Sequence, residues 1–278
     1  MTLPETRLIC FSPTLTSLKV GRAIVRGIGA ERTTTLDLTR TAQEDEIVLP
    51  PDLLAVIAVP VYGGKVAPTA FVRLQRIKAQ GTPAVLVAVY GNRDYEGALR
   101  ELDGLARLLG FVPVAAATFV GEHSYSTAQW PVAVGRPDSA DLEEAAVFGR
   151  AVSAKLSGVV SVADLPALDV DRIPRPRQPF LPRLRFIRDV VRLRRSGQPM
   201  PQAPLADPER CTHCGACVRL CPVGAIAPGD ELHTDAGICI RCCACVKGCP
   251  MEARRFDTPF SRILSTRFPN PKENCTLL

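Results

Sequence analysis

Two rhythms of apolar and polar positions alternate along the first 157 residues. Apolar or alternating runs at 6–11, 33–38, 53–60, 84–90 and 112–119 have the length and pattern of strands. The runs at 53–60 and 84–90 are continuously apolar, as expected of strands buried on both faces of a sheet. Between them, 17–27, 67–80, 95–109 and 138–156 carry the spacing of amphipathic helices. Gly81 and Gly110 stand where helices commonly end, and Asp138 or Ser139 stands at an N-cap position. Strands alternating with helices predict right-handed βαβ units. The fold class expected is α/β, a doubly wound five-stranded parallel sheet in the order 2-1-3-4-5, accompanied by a small α+β domain. The stretch from 38 to 52 is short and acidic, so the second crossover helix is expected to be reduced or missing.

The pattern changes after residue 165. Nine prolines fall between positions 166 and 208, interrupted by a basic segment at 184–195 that places Leu184, Ile187 and Val191 on one helical face. Residues 1–160 are therefore read as the α/β domain, 161–205 as a Pro/Arg-rich linker, 206–262 as a second domain and 263–278 as a polar tail. The net charge of +6 is concentrated in the linker region: residues 166–210 hold ten basic and five acidic side chains. No recognition motif accompanies that charge, and nucleic acid is not expected as a partner. No run approaches the ~20 apolar residues of a membrane span. The opening residues lack a basic leader, which predicts a cytoplasmic protein without a transmembrane span.

Composition adds little until the cysteines are placed. Of eleven, nine lie between Cys211 and Cys249. Clustering of this kind in a protein without a secretory leader reads as metal ligation rather than a disulfide framework. Cys211, Cys214, Cys217 and Cys221, followed by Pro222, repeat as Cys239, Cys242, Cys245 and Cys249, followed by Pro250. This is a doubled C-x₂-C-x₂-C-x₃-C-P run, in which three thiolates wrap one cubane and the fourth reaches the other. The spacing predicts two [4Fe–4S] clusters, one on Cys211, Cys214, Cys217 and Cys249, the other on Cys239, Cys242, Cys245 and Cys221. Zinc also takes four thiolates, but its sites usually join two separated C-x₂-C pairs. Ala225-Ile226 and Ala253-Arg254 follow the two prolines at matching positions. Cys243 is off the pattern and reads as a small packed residue; Cys10 and Cys275 are not assigned to chemistry. The segment resembles a bacterial 2[4Fe–4S] ferredoxin, which implies one-electron transfer.

The turn after the first strand is rich in hydroxyls: Ser12, Thr14, Thr16 and Ser17 lead into a helix, an arrangement suited to phosphate. It resembles the phosphate loop of flavodoxins, with Leu15 in place of a glycine. In that resemblance the loops holding Tyr62, Gly63 and Gly64, and Gly91, Asn92 and Tyr95, flank the flavin ring, with Tyr62 and Tyr95 as stacking partners. Arg93 is placed near the flavin edge or phosphate, or in solvent. Residues 121–126, with His123 and Tyr125, follow the fifth strand. The whole chain looks like the flavodoxin–ferredoxin fusion family. The resemblance implies FMN beside the two clusters, and a redox partner protein. Two other readings stay open: a cluster-fed reductase acting on a small molecule in the α/β domain, with His123 and Tyr125 involved, or a flavin-free docking module.

Overall fold

A computed structural model describes residues 5–40, 45–197 and 199–278. The chain forms two compact units. One comprises residues 1–121, 135–176 and 272–278; the other comprises 122–134 and 177–271.

The first unit is built on strands β1 (Glu5–Cys10), β2 (Arg32–Asp37), β3 (Ile47–Leu49), β4 (Leu53–Tyr62), β5 (Lys65–Val66), β6 (Ile77–Ala79), β7 (Pro83–Tyr90) and β8 (Val112–Val120). Helices α1 (Thr16–Ile28), α2 (Pro68–Leu74), α3 (Ala98–Leu108) and α4 (Ser139–Ser157) connect them. The five long strands are mutually parallel and lie in the predicted order 2-1-3-4-5, as β2-β1-β4-β7-β8. All eight residues of β7 are buried, as its unbroken apolar run requires.

One core lies under α1 and α4, where Leu8, Val56, Val87 and Phe119 from the sheet meet Val20, Ile24, Phe148 and Val152. The two helices approach until backbone touches backbone. A Cβ at Gly27 would lie 2.0 Å from the Ala146 carbonyl oxygen, and one at Gly149 would lie 2.1 Å from that of Ile24. Only glycine permits that crossing.

Three features depart from expectation. The helix expected over 67–80 stops at Leu74, because Ile77–Ala79 pair in parallel with Ile47–Leu49. This small β3-β6 ladder occupies the stretch where a crossover helix was expected to be reduced. Residues Cys275–Leu277, expected to lie in a polar tail, form β11, which pairs antiparallel with β8 and covers the edge of the sheet. Asn274 fixes that strand: its side-chain oxygen accepts from the Val120 N–H (2.9 Å), and its amide donates to Asp141 (2.8 Å).

The second unit contains α5 (Phe180–Arg195), β9 (Leu205–Ala206), α6 (Ala216–Leu220), α7 (Ala244–Lys247), β10 (Arg254–Arg255) and α8 (Pro259–Arg267). β9 and β10 pair antiparallel and bracket the cysteine motifs. Phe186 of α5 packs edge-on against Phe268 just beyond α8, with ring centroids 5.3 Å apart, beside Leu264 and Val132. The opposite face of α5, carrying Leu184, Ile187 and Val191, is exposed. Residues 122–134 belong to this unit: Lys247 pairs with Glu122 and donates to the Ser126 carbonyl (2.9 Å).

Candidate functional site

The two cysteine motifs repeat in conformation as well as in sequence. After the first cysteine of each, His213 and Arg241 take positive φ, 52° and 55°. After the second, Gly215 and Cys243 do so, 67° and 60°, and cap the short helices α6 and α7. After each proline, Gly224 and Glu252 do so again, 68° and 48°. The Ala225 N–H then donates to the Cys221 sulfur (3.2 Å), and the Ala253 N–H to the Cys249 sulfur (3.3 Å). Each reversal turns the chain so that successive cysteines face one hollow.

Two hollows result. One is lined by Cys211, Cys214, Cys217 and Cys249. The other is lined by Cys221, Cys239, Cys242 and Cys245, with Cys243 in its wall. The fourth cysteine of each motif thus lies in the wall of the other motif's cavity. The thiols surround a volume rather than a point: among the described residues no three Cys, His, Asp or Glu side chains group as a single-ion site. Burial pushes the thiol of Cys242 up to about 12 and that of Cys245 to about 11, with Arg254 opposing the rise at Cys245. Burial likewise raises Cys217, again against Arg254. Soft sulfur donors around a shared hollow suit an iron–sulfur cluster, whose positive iron would hold the thiols deprotonated.

The first unit places the hydroxyl loop between β1 and α1. The Ser12 hydroxyl accepts from the Leu18 N–H (3.0 Å), and the Ser12 N–H donates to Thr39 Oγ1 (2.7 Å). Leu15 takes φ 66°, the left-handed conformation for which glycine is favoured, so the loop keeps the turn despite the substitution. The Ser17 hydroxyl is buried and has no hydrogen-bond partner among the described residues. Thr14 and Thr16 are half-buried beside it. A buried donor without a partner at the start of a helix fits an anionic phosphate.

The other loops fit a ring less completely. Gly63 and Gly64, at φ 60° and 82°, turn the chain between β4 and β5, with Tyr62 partly exposed on the strand before them. Asn92, expected at the flavin, is fully buried and accepts from the Lys272 N–H (2.9 Å). Tyr95, expected to stack, is 4% exposed. Its hydroxyl donates to the Ile173 carbonyl (3.1 Å), and its ring meets Tyr90 edge-on. The structure uses Tyr95 for packing because residues 168–173, read as linker, fold onto α3. Gly91 is half-buried next to Asn92. Arg93 pairs with Glu96.

Residues 204–227 match the family model of the 4Fe-4S binding domain. The chain is thus an iron–sulfur electron-transfer protein with a flavodoxin-like sheet. No curated protein matches it. Among solved structures it is similar to a flavodoxin from the domain Archaea, at 13% identity over 55% of this chain and 99% of that one, with a TM-score of 0.35. A Streptococcus pneumoniae flavodoxin matches at 14% identity over 54% and 99%, with a TM-score of 0.37. Rubredoxin oxygen:oxidoreductase from Desulfovibrio gigas matches at 15% identity over 56% of this chain and 38% of that one, also with a TM-score of 0.37. The strand order, rather than these alignments, carries the fold. Among the described residues no helix is long and apolar enough to cross a membrane.

Two parts of the iron–sulfur unit escaped the sequence reading. Residues 122–134 pack within it: the Tyr125 ring lies 5.2 Å from Phe256 and 5.0 Å from His123. His123 Nδ1 accepts from the Tyr125 N–H (3.0 Å), which ties the ring into its own turn. The other is Arg254, 5% exposed, at the wall of the first cavity. Its alignment with Ile226 in the internal repeat was the available signal.

Proposed function

We propose that the chain is a two-carrier electron-transfer protein, holding two [4Fe–4S] clusters in the second unit and FMN in the first, and serving a redox partner protein. Cys211, Cys214, Cys217 and Cys249 ligate one cluster, and Cys239, Cys242, Cys245 and Cys221 the other. The observation that carries this reading is the pair of cavities, each walled by three cysteines of one motif and the fourth of the other. Clusters supply one-electron steps, and a flavin supplies a junction between one- and two-electron chemistry. The protein hydrogen-bonds the Cys221 and Cys249 sulfurs through the Ala225 and Ala253 amides and orients the ligands by fixed turns.

Ser12, Thr14, Thr16 and Ser17 hold the phosphate of FMN, and Tyr62, Gly63, Gly64 and Gly91 border its ring. The exposed arginines of α5 suit an acidic redox partner. A flavin-free docking domain is the second reading, favoured by the enclosure of Tyr95 and the commitment of Asn92.

Anaerobic purification followed by iron, acid-labile sulfide and flavin assays tests the proposal. About eight iron and eight sulfide per chain, as two cubanes require, with stoichiometric FMN support it. Clusters without flavin after incubation with FMN leave the docking reading. No iron after anaerobic reconstitution overturns both.

A further inference from the structure

The internal repeat breaks at one buried position. Cys221-Pro222-Val223-Gly224-Ala225-Ile226 aligns with Cys249-Pro250-Met251-Glu252-Ala253-Arg254. Ile226 is 2% exposed and packs with Cys217 and Cys245, one cysteine from each cage. Arg254, its counterpart, is 5% exposed. A buried isoleucine needs no partner; a buried guanidinium requires a compensating negative charge and five acceptors for its donors.

The protein supplies only part of this. One terminal nitrogen of Arg254 donates to the Glu231 carbonyl and the other to Thr234 Oγ1. Nε is buried with no partner among the described residues. No carboxylate pairs with the guanidinium among those residues. The nearby Glu231 carboxylate is occupied by His213 Nδ1 (3.0 Å) and the Gly229 N–H (3.1 Å). Arg254 lines the cavity of Cys211, Cys214, Cys217 and Cys249. Cys217 shares that cavity wall, and β10, which carries Arg254, packs against α7, which carries Cys245 of the other cage.

Resting on the two-cluster reading above, we propose that Arg254 is a positioning residue shared by both clusters, a buried cation whose charge lies near each and raises both reduction potentials. A thiolate-ligated cubane is an anion whose negative charge grows by one on reduction. A fixed positive charge beside it therefore stabilises the reduced form more than the oxidised form. Proximity to both cages makes the effect common to the two clusters, which keeps their potentials close and lets an electron pass between them with little bias. The missing counter-charge is the clusters themselves.

The test compares wild type with Arg254→Met, which keeps length without charge, and Arg254→Lys, which keeps charge. Iron and sulfide are counted first. A wild type without about eight of each defeats the two-cluster reading itself, independently of Arg254. Reduction is then followed by EPR-monitored redox titration. At the poise that half-reduces each wild-type cluster, Arg254→Met is expected to lower the ratio of reduced to oxidised cluster about tenfold at both, which is 59 mV for a one-electron couple. Arg254→Lys is expected to stay within about threefold of wild type. Fully loaded Arg254→Met with unchanged ratios, or with only one cluster shifted, overturns the proposal. If Arg254→Met does not load, Arg254→Gln takes its place. Loading by Arg254→Lys but by neither neutral variant supports the charge requirement, and failure of Arg254→Lys as well overturns it.

Discussion

Glu252 holds in the second cysteine motif, at φ 48°, the left-handed turn that Gly224 holds in the first at φ 68°. The side chain of Glu252 is exposed and, among the described residues, makes only a long contact, 3.4 Å, to Arg210. The left-handed conformation costs a non-glycine residue roughly 1–2 kcal/mol. The extra freedom of an unfolded glycine offsets about 0.4–1 kcal/mol of that. Glu252→Gly is expected to stabilise the clustered protein by about 0.5 kcal/mol, read from the denaturant midpoint of cluster bleaching with unchanged iron content. A lower midpoint would show that the Glu252 side chain contributes more than its turn costs.

The crossed cavities predict a crossed loss of ligands. Cys249→Ser and Cys211→Ser are expected to damage the same cluster, although the residues come from different motifs. Cys221→Ser and Cys239→Ser are expected to damage the other. The reduced EPR spectrum of the surviving cluster is the readout, and it should match within each pair and differ between pairs. Pairing by motif instead would refute the assignment.

Ser17 gives a prediction with two opposite signs. Its buried hydroxyl lacks a partner in the protein alone, and such a group costs about 1–3 kcal/mol. Ser17→Ala is therefore expected to stabilise the flavin-free protein by about 1 kcal/mol. The same change is expected to weaken FMN binding roughly tenfold, because the hydroxyl no longer meets the phosphate. Thermal unfolding and fluorescence titration with FMN separate the two effects; equal affinity in wild type and variant would remove Ser17 from the site.

Asp141 links three segments of the first unit. Burial alone would raise its carboxyl, but the Arg136 guanidinium, the Asn274 amide and the Asp138 N–H together hold it below the ordinary value. A carboxyl depressed in the folded state adds stability that is complete above its unfolded value and is lost as pH falls through the folded one. Asp141→Asn is expected to cost about 3 kcal/mol near neutrality, as loss of one partner of a buried pair does. The gap between variant and wild type should narrow below about pH 4. Urea melts at several pH values test this, and a gap independent of pH would rule out the charged pair as the source.

The long strands and the cysteine spacing were legible because both are periodic. Ala55, Val56 and Ile57 in β4, and Val85, Leu86 and Val87 in β7, sit in continuous apolar runs that few other structures explain. β11 was not legible: three residues carry no period, and what orders Cys275–Leu277 is the open edge of β8 far back in the chain. The helix expected over 67–80 ends early for a similar reason, since Ile77–Ala79 obey their partner β3 rather than local propensity. Tyr95 illustrates the limit for sites. Its type and loop position suit a stacking role, and only the packing of Ile173 reveals that its hydroxyl is occupied. Arg254 shows the reverse case, since a repeat exposes the mismatch with Ile226 but not its burial.

Asn274 and β11 also bear on the order of events during synthesis. Every cysteine of the two cages precedes them in the chain. While the ribosome is still adding residues, the β8 edge of the sheet stays unpaired, and it closes only when Cys275–Leu277 emerge. By then both cages are already outside the ribosome and open to iron delivery. All eight motif cysteines are thus synthesised before the strand that closes the sheet.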